Sequence, residues 1–256
     1  MRFRIILLFL AISYFSFGQK IRFNSSIGSS YISWHEQQMT IDLAAEISFQ
    51  NPEKNNKQFI ALKTMGNIAG TSIDRSTYTF IEPPINNFNQ PIQPNEVLQA
   101  KYRGAEAEAG FIWNTNKNKK QIHLSPVLSF YSRSLARKIS SLKSEYIEEE
   151  KYSLHGISAG MGFVKPGKTT IHLQAQVFQP LYDQVTLYGR YIGIPYHSLV
   201  SNKSLNFKAK IQISKGNYGW TLNLESLNLA SAENPKSKSI EASQAIIPST
   251  LLTYFF

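Results

Sequence analysis

The sequence predicts an all-β protein, an antiparallel transmembrane β-barrel of about ten strands. Three observations carry that expectation. Ten segments alternate apolar and polar residues, most of them run 10 to 14 residues, and the connections between them alternate short and long. Alternation with period 2 gives a strand two different faces. Length then separates the possible settings. A globular strand averages about 5–6 residues, whereas a tilted strand crossing a bilayer needs about 9–11.

In chain order the first segment is 20–34, the second is Ile41-Asp42-Leu43-Ala44-Ala45-Glu46-Ile47-Ser48-Phe49, and the third is 57–68. In the fourth, 97–113, the apolar parity changes near Gly104, from Leu98, Ala100 and Tyr102 to Ala105, Ala107, Ala109 and Phe111. A bulge near Gly104 would keep all of these on one face. Segments 121–134 and 151–164 follow. The seventh, Ile171-His172-Leu173-Gln174-Ala175-Gln176-Val177, alternates without a break, as does the eighth, Leu205 to Ile213. The ninth, 218–229, changes parity near Ser226, where a second bulge is expected; the tenth is 243–256.

Asn51–Asn56, Asn114–Lys120, Lys165–Lys168 and Lys215–Asn217 are short and rich in Asn, Gly, Pro and Lys, residues that tolerate or preset turn dihedrals. Links 69–96, 135–150, 182–202 and 230–242 are long, and only His35–Gln38 among the outer links is short. Outer-membrane barrels pair short periplasmic turns with long extracellular loops. An even strand number then puts both termini in the periplasm.

Composition fits this reading. The chain has 256 residues, 42% of them hydrophobic and only 17% charged, so it is too apolar for disorder. It holds no cysteine, which excludes disulfides, thiol nucleophiles and cysteine metal centres. No phosphate loop, dinucleotide fingerprint or metal-ligand spacing occurs, and no cofactor is expected.

Residues 1–18, MRFRIILLFLAISYFSFG, read as a cleaved signal peptide. Arg2 and Arg4 precede an apolar run, and Ser16-Phe17-Gly18 supplies a small-x-small cleavage site. Residues 19–256 are then a single barrel domain in the outer membrane of a Gram-negative bacterium. Its expected partners are outer-membrane lipids and the barrel-assembly machinery. Further protein partners could use links 69–96 and 182–202 or the basic turns. An exported chain meets no nucleic acid, so the net charge of +10 needs another explanation. Taken as 51–57, 114–120, 165–168 and 214–217, the short turns carry +7 and the outer links −4, so most of the basic excess sits at one end.

With apolar positions on lipid, the alternate positions face a polar lumen. That assigns Arg22, Asp42, Glu46, Lys101, Arg103, Glu106, Glu108, His123, His172, Lys208, Lys210 and Glu225 to the interior. Buried charges must be paired or solvated, and the signs nearly balance, so an internal ion-pair network is expected. A ten-stranded interior is only modestly wider than one filled by side chains. The sequence therefore points to a structural or narrow-pore barrel, or to a subunit of a larger outer-membrane assembly.

Three resemblances bear on this. The terminal Leu252-Thr253-Tyr254-Phe255-Phe256 resembles the C-terminal recognition strand of bacterial outer-membrane proteins, which implies that Leu252, Tyr254 and Phe256 form an assembly signal. His123-Leu124-Ser125, followed by Ser132-Arg133-Ser134-Leu135-Ala136-Arg137, resembles the catalytic strand of the outer-membrane phospholipase A family. Here Pro126-Val127 replaces that family's Asn-Gly and Leu135-Ala136 its Trp-Asn, and parity turns His123 and Ser125 inward. By strand count the chain is similar to the omptin proteases, with Asp183, His197, His35 and Glu36 near the corresponding rim. An outer-membrane hydrolase, phospholipase- or omptin-like, is the alternative function.

Overall fold

The computed structural model describes residues 20–50, 56–67, 69–73, 97–113, 122–141, 148–189, 196–200, 204–229, 232–233, 239–240 and 243–256. Segment 1–18 and the proline-rich stretch 81–94 lie outside them. The strands are β1 (Lys20–Ser33), β2 (Gln37–Gln50), β3 (Lys57–Gly66), β4 (Thr71–Ile73), β5 (Leu98–Ile112), β6 (His123–Ser141) and β7 (Glu148–Lys165). They continue with β8 (Thr170–Gly189), β9 (Tyr196–Val200), β10 (Asn206–Lys215), β11 (Tyr218–Leu229), β12 (Ala232–Glu233), β13 (Ser239–Ile240) and β14 (Ser243–Phe255).

Ten of these close an antiparallel barrel in the order β1-β2-β3-β5-β6-β7-β8-β10-β11-β14, with β14 returning to β1. Closure leaves no unpaired edge, so the backbone groups are satisfied without water. The short strands β4 and β9 extend the walls by pairing with β5 and β8. At one tight hairpin, Lys215 pairs with Tyr218 across Gly216-Asn217. Gly216 has φ of 59°, a left-handed conformation that a glycine adopts at no steric cost.

Ile21, Phe23, Ile27, Ile41, Leu43, Leu62, Phe130, Phe207, Leu224 and Leu252 are among the large apolar side chains exposed on the outer wall. The alternate positions are buried inside, so the barrel is polar-in and apolar-out over its short-turn half.

Links 135–150 and 182–202 are corrected in part. Leu135 to Ile139 pair in register with Tyr152 to Glu148, so β6 and β7 run on as a paired hairpin. β8 extends to Gly189, and its far end pairs with β9. These three walls are 19, 18 and 20 residues long and stand above their neighbours.

Both expected bulges are also corrected. β5 pairs with β6 without a register shift from Leu98 to Ile112, through Gly104, and β11 pairs with β14 continuously through Ser226. Leu98, Ala100 and Tyr102 therefore point inward and are at most 1% exposed, as are Leu227 and Leu229 at no more than 3%. The interior itself turns apolar at this level, so the strands need no kink to hide these side chains. The register shift the ladders do contain lies between β7 and β8, where His155 faces Tyr182 and Gly156 faces Pro180, leaving Leu181 extra. Pro180 has no N–H for the ladder, which is where a bulge is tolerated.

Candidate functional site

The candidate site is the barrel interior, which is built in tiers. Nearest the short turns lies a charged tier. Lys57 reaches Glu46 at 2.6 Å, and Lys63 reaches Asp42 at 3.0 Å. Lys208 bridges Glu106 at 2.7 Å and Glu108 at 3.2 Å. Arg133 joins Glu225 and lies 3.6 Å from Glu106, with its side chain fully out of solvent. Neutral donors complete the shell. Asp42 accepts from Ser30 and, at 3.1 Å, from Thr40; Glu108 accepts from Ser129 at 2.7 Å and from Gln176 at 3.1 Å. With Lys210 on the same wall, five carboxylates face five cations, so the tier is neutral. A cavity of about 160 Å³ runs through it, lined by Glu46, His172, Gln174, Lys208, Lys210 and Asn223 and reaching Ile112 and Phe255 near the short-turn end.

Towards the long-link end the interior becomes apolar. Ile32, Met65, Tyr102, Leu135, Tyr152, Leu154, Val185, Leu227, Leu229, Ala245 and Ile247 form one buried cluster, joined by Tyr131 and Phe178 beside the charged tier. A third tier caps it. Trp34, in the short turn between β1 and β2, lies 5.6 Å from the Tyr102 ring and 5.4 Å from Tyr152, and its indole N–H donates to Ser243 at 2.9 Å. Glu36 accepts from Arg137 Nε at 2.9 Å and from the Tyr102 hydroxyl at 2.7 Å, and Tyr152 donates to Glu150 at 2.8 Å. The one outer link that is short in sequence packs into the mouth through Trp34 and Glu36. His35, in that turn and beyond the strand ends, is held down to a pKa of about 4 by burial and then by Arg137, against the opposing pull of Glu36. Its 3.8 Å approach to Glu150 is therefore made by a neutral imidazole at neutral pH.

Of the residues expected in the lumen, Asp42, Glu46, Glu106, Glu108, His172, Lys208, Lys210 and Glu225 lie in the charged tier. Arg22 is exposed at the short-turn end. Lys101 and Arg103 are a correction: both are exposed on the outer wall, where Arg103 meets Glu149 at 2.6 Å. Their assignment rested on the bulge that β5 does not contain. Sequence reasoning missed Lys57, Lys63 and Arg133. Arg133 shares parity with Ser125 and Ser129 and could have been found that way; Lys63 is hidden among Phe59, Ala61 and Met65, which also face in.

Ser125 is fully buried and His123 faces the same side, on a strand whose outer face is Leu124, Leu128 and Phe130. Near the rim, Asp183 is 2% exposed and Glu36 is engaged by Arg137 and Tyr102. The side chain of His197 lies outside the described residues. Among the described residues, no three metal-ligating side chains converge. At the C-terminus Leu252 and Phe256 are exposed on the outer wall while Leu251 and Thr253 are buried inside. The Phe256 ring sits 4.7 Å from Tyr254 and 5.2 Å from Phe23.

The ten-stranded closed barrel is the fold of outer-membrane β-barrel proteins. It is similar to the outer membrane protease OmpT from Escherichia coli, with a TM-score of 0.57, 9% identity, and coverage of 94% of this chain and 99% of that one. Looser likenesses join it to the translocator domain of the autotransporter NalP from Neisseria meningitidis, at TM-score 0.46, 8% identity and coverage of 98% and 94%. The attachment invasion locus protein Ail of Yersinia pestis follows at 0.41, 8% identity and coverage of 93% and 99%. No family model matches the sequence, and no curated protein does. At these identities the likeness fixes the fold and leaves the activity to be argued from the interior.

Proposed function

We propose that this chain is a sealed outer-membrane barrel, acting as a structural element or as the membrane-embedded subunit of a larger assembly, and that it neither conducts solutes nor hydrolyses them. On this reading residues 1–18 direct export and are removed. Leu252, Tyr254 and Phe256 are read by the barrel-assembly machinery, and both termini sit in the periplasm. Protein partners are met by links 69–96 and 182–202 or by the basic turns.

The observation that carries the proposal is the three-tier interior. A water-filled pore needs a continuous hydrated path, and here an apolar tier with its eleven residues 0–4% exposed lies above the charged cavity. A hydrolase needs a nucleophile and base that reach substrate. His123 and Ser125 face the interior, and the rim carboxylate Glu36 is already hydrogen-bonded. The fold match to a protease supplies no such constellation, because function lives in the site and not in the fold.

The test is reconstitution of the full chain into vesicles loaded with a small sugar, assayed in parallel for ester and peptide hydrolysis. Sugar release at the rate of empty vesicles, with no hydrolysis, is expected. Release proportional to protein would replace this reading with a pore, and substrate turnover would replace it with an enzyme.

A further inference from the structure

The ion pairs of the charged tier divide unevenly along the barrel. Its inner part sets Asp42, Glu106, Glu108 and Glu225 against Lys63, Arg133 and Lys208. Nearer the short turns Glu46 faces both Lys57 and Lys210, and Lys57 holds it at 2.6 Å. Among the described residues Lys210 has no carboxylate within ion-pair distance. Glu46 and Glu108 attract it from farther away, while Lys57 and Lys208 repel it. The short-turn part of the tier therefore carries one cation more than it has carboxylates.

Lys210 belongs to a square of four inward-facing side chains. The register of β8 and β10 sets Gln174 beside Lys210 and His172 beside Gln212. All four line the cavity of about 160 Å³. Lys210, Lys57, Glu46 and His123 also act electrostatically on His172, so these groups share one space. Among the described residues the Gln174 and Gln212 amides have no side-chain hydrogen bond, and His172 Nε2 is buried without one. Gly162, paired with Gln174 on β7, leaves the imidazole its room: a Cβ there would lie 3.0 Å from that nitrogen. With the imidazole proton on Nε2, four donors line one space and none has an acceptor. Buried donors without acceptors cost free energy, which an acceptor in that space would recover.

The remaining wall supplies the opposite surface. Phe59 on β3, across the barrel from β10, and Leu251 and Phe255 on β14 line the same cavity. Its volume is close to the about 150 Å³ that takes up a benzene-sized molecule. Lys57 at its mouth is 32% exposed, and Lys168 and Lys215 are exposed at the same end, so an approaching anion is attracted.

We infer that this cavity is a binding site for a small organic acid, a single carboxylate on an apolar body of about ring size. The carboxylate sits among Lys210, Gln174, Gln212 and His172 Nε2, and the body packs against Phe59, Leu251 and Phe255. One negative charge matches the one unmatched cation, and the apolar wall selects an organic acid over a bare inorganic ion. The acid enters and leaves at the short-turn end. The inference goes beyond the sealed-barrel reading and uses only the interior beneath the apolar tier.

The experiment titrates benzoate calorimetrically into the folded full-length chain in detergent micelles. Saturable one-to-one binding is expected. Benzyl alcohol, which keeps the ring without the charge, and acetate, which keeps the charge without the ring, should each bind at least about ten-fold more weakly. Lys210→Met should weaken benzoate binding at least about ten-fold, the loss of one charge-assisted hydrogen bond. Ala61→Phe keeps every charge and fills the cavity, and should abolish binding. Lys215→Gln, in the exposed hairpin, should bind as wild type does. Heat-modifiable gel migration reports that each variant is folded. Absence of saturable binding to wild type, benzyl alcohol binding as tightly as benzoate, or a folded Lys210→Met or Ala61→Phe variant that binds as wild type does would overturn the assignment. Displacement of benzoate by inorganic phosphate at the same concentration would also overturn it, because the site would then recognise a bare anion.

Discussion

The two halves of the barrel interior solve the same problem in opposite ways. Towards the short turns, five carboxylates and five cations line the interior, with Asp42, Lys63, Glu106, Glu108, Arg133 and Glu225 buried, and must satisfy one another; a cavity of about 160 Å³ remains among them. Towards the long links, eleven apolar or aromatic side chains from Ile32 to Ile247 fill the same cross-section with little charge, and the mouth closes over them. The charged half demands mutual pairing, while the apolar half demands shape. The two should therefore fail differently when one side chain is removed.

The largest effect is expected in the charged half. Arg133→Met leaves the buried Glu225 without its cation and Glu106 with Lys208 alone. Breaking a buried pair from one side costs about 3–5 kcal/mol. Denaturant unfolding from lipid vesicles should register that loss, and a cost below about 1 kcal/mol would mean that water already solvates the tier. Replacing Asp42 and Lys63 together, as Asp42→Leu with Lys63→Met, should cost less than Asp42→Leu alone, because no orphaned charge is left.

In the apolar half, Leu135→Ala removes buried volume without stranding a charge, and about 2–5 kcal/mol is expected from transfer and cavity terms. The informative contrast is with charge insertion. Leu135→Ala should leave the dependence of stability on pH unchanged, whereas Arg133→Met should alter it. Identical pH profiles for both variants would erase the distinction between the halves.

How much of this was legible in the sequence follows from the same contrast. Alternation in Ile171–Val177 and Leu205–Ile213 predicted faces correctly because lipid outside and charge inside give the pattern two signs. Where the interior turns apolar, as at Leu98, Ala100 and Tyr102, the pattern inverts, because Gln99, Lys101 and Arg103 take the outer positions and parity read with one sign points the wrong way. The expected bulges near Gly104 and Ser226 came from reading an apolar residue as lipid-facing, and they carried Lys101 and Arg103 to the wrong side of the wall. Arg133 was visible by parity but was read within a phospholipase-like motif. The capping of the mouth by Trp34, Glu36 and Arg137 joins residues about 100 positions apart, a relation no local pattern encodes.

A smaller effect sharpens the boundary at the mouth. His35 is held to a pKa of about 4, below its ordinary value of about 6.5. The unfolded chain therefore takes up the proton first as pH falls. The stability contributed by the neutral imidazole is complete above about pH 6.5 and declines from there towards pH 4. Arg137, Glu36 and Glu150 also face His35, so the readout is a difference between variant and wild type. His35→Gln should flatten the wild-type loss of unfolding midpoint between pH 7 and pH 5. A variant that loses as much as wild type would place His35 in water.

Ion conductance across a planar bilayer tests the sealed interior most directly. Purified full-length chain, shown by gel migration to be folded and inserted, should leave the membrane at its bare conductance at any voltage the bilayer tolerates, in low or high salt. Discrete current steps that scale with salt concentration would contradict the account, because ions would then be crossing the apolar tier between Leu135, Leu227 and Ile247.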